Sequence, residues 1–182
     1  MKKLLEGIAY FKKHKREECL SKYQGLEKGQ SPYALFITCA DSRIEPHLFT
    51  LSEPGDLLVV RNVGNRVPKY QESREDVAIP SAIEFAVGVF SVSNIIVCGH
   101  SECVAMHMLV EQSNEKFETE GLSTANAFSQ THVLQQIENI KTYPIVNQAI
   151  ENGSLQLHAW WFDLKNLNFY RYDQKENTFC LI

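Results

Sequence analysis

Two short stretches carry side chains that could do chemistry together. TCADSR brings Cys39, Asp41 and Arg43 close in sequence, and GHSEC sets His100 and Cys103 three residues apart. Two thiolates and one imidazole fill three corners of a tetrahedron. That donor set suits a catalytic zinc ion (Zn2+) with its fourth position left open. Two thiolates cancel the charge of a divalent cation, so water bound there is acidified less than in a three-histidine site. A carboxylate accepting a hydrogen bond from that water offsets part of the deficit, and Asp41 is placed for it. Arg43 can pair with Asp41 and hold it ionised and aimed. If that pair breaks, the freed carboxylate can swing onto the metal and close the open position. Each residue alone has a plainer use: a buried thiol, a turn histidine, a capping and salt-bridge pair. The combination is what points to a metal.

Whether the two stretches can meet depends on the elements that carry them. YALFITC (33–39) and GDLLVVRN (55–62) are short apolar runs that read as buried strands, and SNIIVCG (93–99) reads as a third. IPSAIEFAVGVF (79–90) reads as a buried helix, and CVAMHMLV (103–110) as another. The polar segment 111–130 shows no clear period and reads as a loop or surface helix. THVLQQIENI (131–140) is helical with Thr131 as a possible cap, and a further helical turn follows Pro144. LQLHAWWFDL and NFYRYD read as a hairpin adding antiparallel strands at one edge. Residues 2–23 carry Leu4, Leu5, Ile8 and Phe11 at helical spacing, which predicts an amphipathic arm helix in search of a partner. The expected fold is α/β: a mostly parallel central sheet with helices on both faces, antiparallel edge strands, and an N-terminal arm over 1–25 of a single 1–182 domain. In such a sheet all carboxyl ends share one edge, so Cys39 and the His100/Cys103 pair can converge there. Cys98 points the other way and reads as core; Cys19 and Cys180 read as structural or free.

Composition narrows the function. The chain has 182 residues, 44% of them hydrophobic and 22% charged, which is enough to bury a core without disulfides. A net charge of −4 argues against nucleic acid as a partner, because phosphate binding needs a basic face. The run Lys12, Lys13, His14, Lys15, Arg16 is followed by Glu17 and Glu18 and reads as a solvated helix face. No apolar run approaches the ~20 residues that span a bilayer. The opening residues do not form a signal-peptide core, and the five cysteines do not form a secreted disulfide framework, so a cytoplasmic location is expected.

CADSR followed downstream by GHSEC resembles the β-class carbonic anhydrases, and KGQSP before Cys39 resembles their plant-like branch. The likeness extends through EPGDLLVVRNVGNRVPKY, SAIEFAVGVFSVSNIIVCGHSEC and LQLHAWWFDL, covering roughly residues 26–165. It implies reversible hydration of carbon dioxide to bicarbonate, with Cys39, His100 and Cys103 as ligands of one Zn2+ and Asp41 and Arg43 as the catalytic pair. It further implies that Gln30 donates to a substrate oxygen and that Val63, Phe85 and Leu58 wall an apolar pocket. In this family the pocket is completed across a dimer interface. Gln30 would then serve the neighbour's zinc, and the arm would wrap the second subunit of a dimer, tetramer or larger homo-oligomer. Val104 departs from the family's usual Gly, Phe85 from a common Tyr and Leu58 from a frequent Phe. Arg61 matches one member of a non-catalytic bicarbonate site, but Phe36 stands in place of its Trp, so no such switch is expected. His47, His107, His132 and His158 are candidates by type for carrying the product proton. Hydrolysis of carbonyl sulfide or carbon disulfide on the same fold, a catalytically silent zinc-stabilised homologue, and a dithiol redox protein are the competing readings. The last is weakened by the absence of Cys-x-x-Cys.

Overall fold

The computed structural model describes residues 1–72, 77–113 and 122–182. Six strands, β1 (Ala34–Cys39), β2 (Leu57–Asn62), β3 (Asn94–His100), β4 (Gln156–Asp163), β5 (Asn168–Asp173) and β6 (Thr178–Leu181), form one sheet in the order β2-β1-β3-β4-β5-β6. The first four neighbours run parallel, whereas β5 and β6 are antiparallel additions. Every residue of β1, ALFITC, is buried, as a central parallel strand requires.

The helices are α1 (Lys2–His14), α2 (Arg16–Tyr23), α3 (Pro46–Thr50), α4 (Ala78–Gly88), α5 (Val104–Ser113), α6 (Thr124–Lys141) and α7 (Pro144–Glu151). One face of the sheet, through Leu35, Ile37, Ile95 and Val97, packs under Ile83 of α4, Val133 and Ile140 of α6, and Val146 of α7. The other face carries Phe36, Ile96, Cys98 and Phe162, and α3 reaches it through Phe49. The chain passes from β1 to β2 on one side and then crosses back over β1 to β3. The switch point therefore lies between the carboxyl ends of β1 and β3, where open α/β sheets place their ligands.

Three expectations change. The arm is two helices, broken at Lys15 (φ −119°, ψ −19°). Consecutive positive charges repel along one helix, whereas Lys12, Lys13 and His14 suit the negative end of α1 and Glu17 and Glu18 the positive end of α2. Helix α6 starts at Thr124, not Thr131, and Ser123 is its cap, its hydroxyl accepting from the Asn126 N–H at 3.3 Å. Thr131 lies inside the helix and donates to the Ala127 carbonyl. Residues 114–121 of the segment expected to be loop or surface helix lie outside the described residues. The hairpin of β4 and β5 forms as expected, but β4 itself joins β3 in parallel, because the long α6–α7 connection carries the chain back to the sheet's amino edge. The terminal strand β6 extends the antiparallel edge by pairing with β5.

Candidate metal centre

Cys39 closes β1, His100 closes β3, and Cys103 ends the turn that leads into α5. Their ligand atoms all lie within 4.8 Å of one another, with the two sulfurs 3.9 Å apart, and all three residues are buried. The His100 Nδ1–H donates to the Ser101 carbonyl at 2.8 Å, which leaves Nε2 as the ring's ligand atom. That Nε2 is buried with no hydrogen-bond partner, and the nearest carboxylate oxygen, Asp41 Oδ2, is 3.9 Å away. An unpartnered buried ring nitrogen costs about 1–3 kcal/mol. Facing two sulfurs, it has the placement of a metal ligand, and the soft–borderline donor set fits zinc.

The thiols are strongly unequal. The Cys103 sulfur, 3.9 Å away, holds the Cys39 thiol well below the usual range, and the Gly64 N–H (3.4 Å) adds to it. Removing the second proton, from Cys103, is opposed by the neighbouring sulfur and by burial. A divalent cation between the sulfurs removes that opposition, so metal uptake would release the proton. Burial alone pushes the Cys98 thiol up, in keeping with a core residue.

Asp41 faces the cluster from the loop after β1. Arg43 grips it twice, Nε to Oδ1 at 2.9 Å and a terminal nitrogen to Oδ2 at 2.7 Å, and the Arg43 backbone N–H adds a third bond at 3.0 Å. These bonds hold the Asp41 carboxyl well below the ordinary carboxylate range. Arg43 also donates to the Glu102 carbonyl at 3.0 Å, tying the CADSR loop to the GHSEC turn. Arg61 braces the same loop from β2, donating to the carbonyls of Cys39 (3.1 Å) and Asp41 (2.6 Å).

A family profile described as carbonic anhydrase matches residues 34–124 and 114–168. A carbonic anhydrase of Synechococcus elongatus is 33% identical over 91% of this chain and 69% of its own length. Carbonic anhydrase 1 of Escherichia coli O157:H7 is also 33% identical, over 98% and 91%. Among solved structures, the β-carbonic anhydrase CcaA superposes with a TM-score of 0.91 at 30% identity, covering 100% of this chain and 92% of that one. The chain belongs to the β-class carbonic anhydrases. A Coccomyxa β-carbonic anhydrase, solved in complex with acetazolamide, is 25% identical with a TM-score of 0.75, covering 92% of this chain and 84% of its own.

Within this carbonic anhydrase the remaining residues named from sequence divide into two groups. Val63 and Val104 adjoin the cluster, Val63 beside the Gly64 that touches Cys39 and Val104 directly after Cys103, and both are exposed. Gln30, Leu58 and Phe85 lie toward the opposite, amino edge of the sheet. Leu58 pairs with Leu35 near the start of β1, Gln30 precedes that strand, and Phe85 sits in the last turns of α4. Six-residue β1 alone separates the edges by roughly 17–20 Å. One chain therefore does not gather Val63, Leu58 and Phe85 around its own cluster.

Of the four histidines, His107 lies one turn beyond Cys103 with its Nε2 3.4 Å from Glu102, His47 contacts Ser52, and His158 bonds Asn94 at the amino edge. His132 donates to the Gly64 carbonyl at 2.9 Å.

Helix α6 holds the turns around the cluster, a part that no apolar period along the chain announces. Asn126 accepts from the Glu102 N–H at 2.8 Å, Ser129 donates to the His100 carbonyl at 3.0 Å, and His132 reaches Gly64. Spacing of three along one helix face was the available signal, hidden because these residues are polar. Helix and sheet also meet closely: a Cβ on Gly99 would lie 2.6 Å from Val133 Cγ2, so only glycine admits α6 this near to β3.

Proposed function

We propose that the chain catalyses reversible hydration of carbon dioxide to bicarbonate and a proton on a zinc ion held by Cys39, His100 and Cys103. The observation that carries this reading is the unpartnered, buried His100 Nε2 facing two sulfurs, with an ionised carboxylate 3.9 Å away. Zinc bound there would supply a Lewis acid that ionises a water near neutral pH. Asp41, kept ionised by Arg43, would accept a hydrogen bond from the attacking water and orient it toward the substrate carbon. Val63 and Val104 offer apolar surface for carbon dioxide on the cluster's own side.

The pocket is completed by a second copy, so the working unit is a homodimer or a larger homo-oligomer. Neither α1 nor α2 buries any residue in its own chain, although Leu4, Leu5, Ile8 and Phe11 form an apolar stripe. A second subunit gives that stripe a partner and brings Gln30, Leu58 and Phe85 to the neighbour's cluster. There the Gln30 amide can donate to the oxygen on which charge grows.

Stopped-flow hydration of carbon dioxide, with zinc measured on the same sample, tests this. We expect close to one zinc per chain, and in Asp41→Asn roughly a 10- to 100-fold loss of turnover with zinc retained. Full activity in Asp41→Asn would remove the carboxylate from its role. Faster hydrogen sulfide release from carbonyl sulfide than hydration would replace the substrate.

A further inference from the structure

We propose that His132, propped by Gln136, is a positioning residue that sets the donor strength of the Cys39 sulfur by fixing Gly64. The inference rests on the metal reading above. Gly64 is held from both sides: its carbonyl accepts from His132 Nε2–H at 2.9 Å, and its N–H donates to Cys39 Sγ at 3.4 Å. Its φ of +77° favours glycine, and a Cβ there would come within 3.0 Å of Met106 Cε and 3.4 Å of Ala105 Cβ. The turn is thus pressed against α5 and hung from α6 by the histidine.

Gln136 decides which ring nitrogen carries the hydrogen. Its Oε1 accepts the Val67 N–H at 2.8 Å, which orients the buried amide. Its Nε2 then donates to the His132 carbonyl at 3.0 Å and faces His132 Nδ1 at 3.4 Å. With Nδ1 an acceptor, Nε2 bears the proton and points at Gly64. Burial, helped by the Arg66 charge, holds this ring's pKa below the usual imidazole value. Both nitrogens are engaged, so His132 serves as a strut and not as the carrier of the product proton.

The consequence is electronic. An N–H donated to a thiolate draws electron density from sulfur, and a poorer sulfur donor leaves its cation a stronger Lewis acid. Without His132 the Gly64 carbonyl loses its anchor and the N–H turns away from Cys39. The sulfur would then give more charge to a bound cation, which would be the weaker Lewis acid for it.

Cobalt(II) in place of zinc reports this directly through the sulfur-to-metal charge-transfer band. The full-length chain and its His132→Ala, His132→Gln and Gln136→Met variants are loaded with cobalt, the metal per chain is counted, and band position and hydration rate are measured. His132→Ala should move the band to lower energy and slow turnover about 10- to 100-fold. Glutamine places an N–H near the site of Nε2, so His132→Gln should restore band and rate, and Gln136→Met should shift the band the same way by less. A wild-type band in folded His132→Ala, or a His132→Gln band displaced as far as that of His132→Ala, overturns the proposal. If His132→Ala does not fold, Gln136→Met decides: a shifted band supports the strut and an unmoved one overturns it. No charge-transfer band in the unaltered chain would instead overturn the metal reading, and this inference with it.

Discussion

The carboxyl edge of the sheet and the N-terminal arm are built on opposite terms. At the carboxyl edge each ligand-bearing turn is held by its own chain: Arg43 links the two loops, Arg61 braces the first, and α6 holds the second through Asn126 and Ser129. In the arm, 13-residue α1 and 8-residue α2 bury nothing, and Lys22 to Glu53 at 2.9 Å is a cross-link between exposed side chains. Solvent screens such a pair, so it adds little to stability. Most helical stability comes from packing an apolar face, so an arm of this kind is ordered by what it docks on. On the function proposed above, the metal centre would be a property of one chain and the substrate pocket a property of two.

The largest effect should come from removing a ligand. His100→Ala ought to lose zinc and, with it, all hydration above background, because two sulfurs alone leave the tetrahedron half built. Metal analysis checks it; a variant that keeps one zinc per chain would detach His100 from the centre.

Next in size is the arm. Replacing Leu4, Ile8 and Phe11 with Ser removes six apolar side chains from the dimer and, at about 1.5 kcal/mol each, should weaken it by well over three powers of ten in Kd. Sedimentation should then show monomers that retain zinc yet hydrate carbon dioxide poorly. Monomers with full activity would show that one chain suffices and erase the contrast between the two regions.

The smallest effect concerns the Asp41–Arg43 pair. Because the folded-state pKa of Asp41 is lowered, its contribution to stability is fully present above the unfolded value of about 4 and is lost as pH falls below it. In metal-free protein, chemical denaturation should find Asp41→Asn less stable than the parent by about 1 kcal/mol at neutral pH, the half-exposed arginine screening the pair. That gap should close in acid. A gap that widens in acid would reverse the assigned sign.

How much of this could be read in advance follows from which residues had to be apolar. β1 and β3 are continuous apolar runs ending in Cys39 and His100, and a buried parallel strand has no other way to be written. The first half of α6 was invisible because its inward face holds the small Ala125 and Ala127 and the polar Ser129, which a search for a strong apolar period rejects. The break at Lys15 was open to view, but the run of like charge reads equally as a solvated face. Strand β4 has β-forming residues in either direction, and its direction was decided by where α7 delivers the chain.

By itself the sequence determined the candidate donor residues, the buried strands that end in Cys39 and His100, and the membership of Asp41 and Arg43 in the same loop, because residue type and local period suffice for these. Only the tertiary structure decided that sulfurs 64 residues apart stand 3.9 Å from each other and that His100 Nε2 is left without a partner. It also decided that Gln30, Leu58 and Phe85 lie toward the far edge of the sheet. Those are matters of strand order and of distance across a sheet, which periodicity along a chain does not encode.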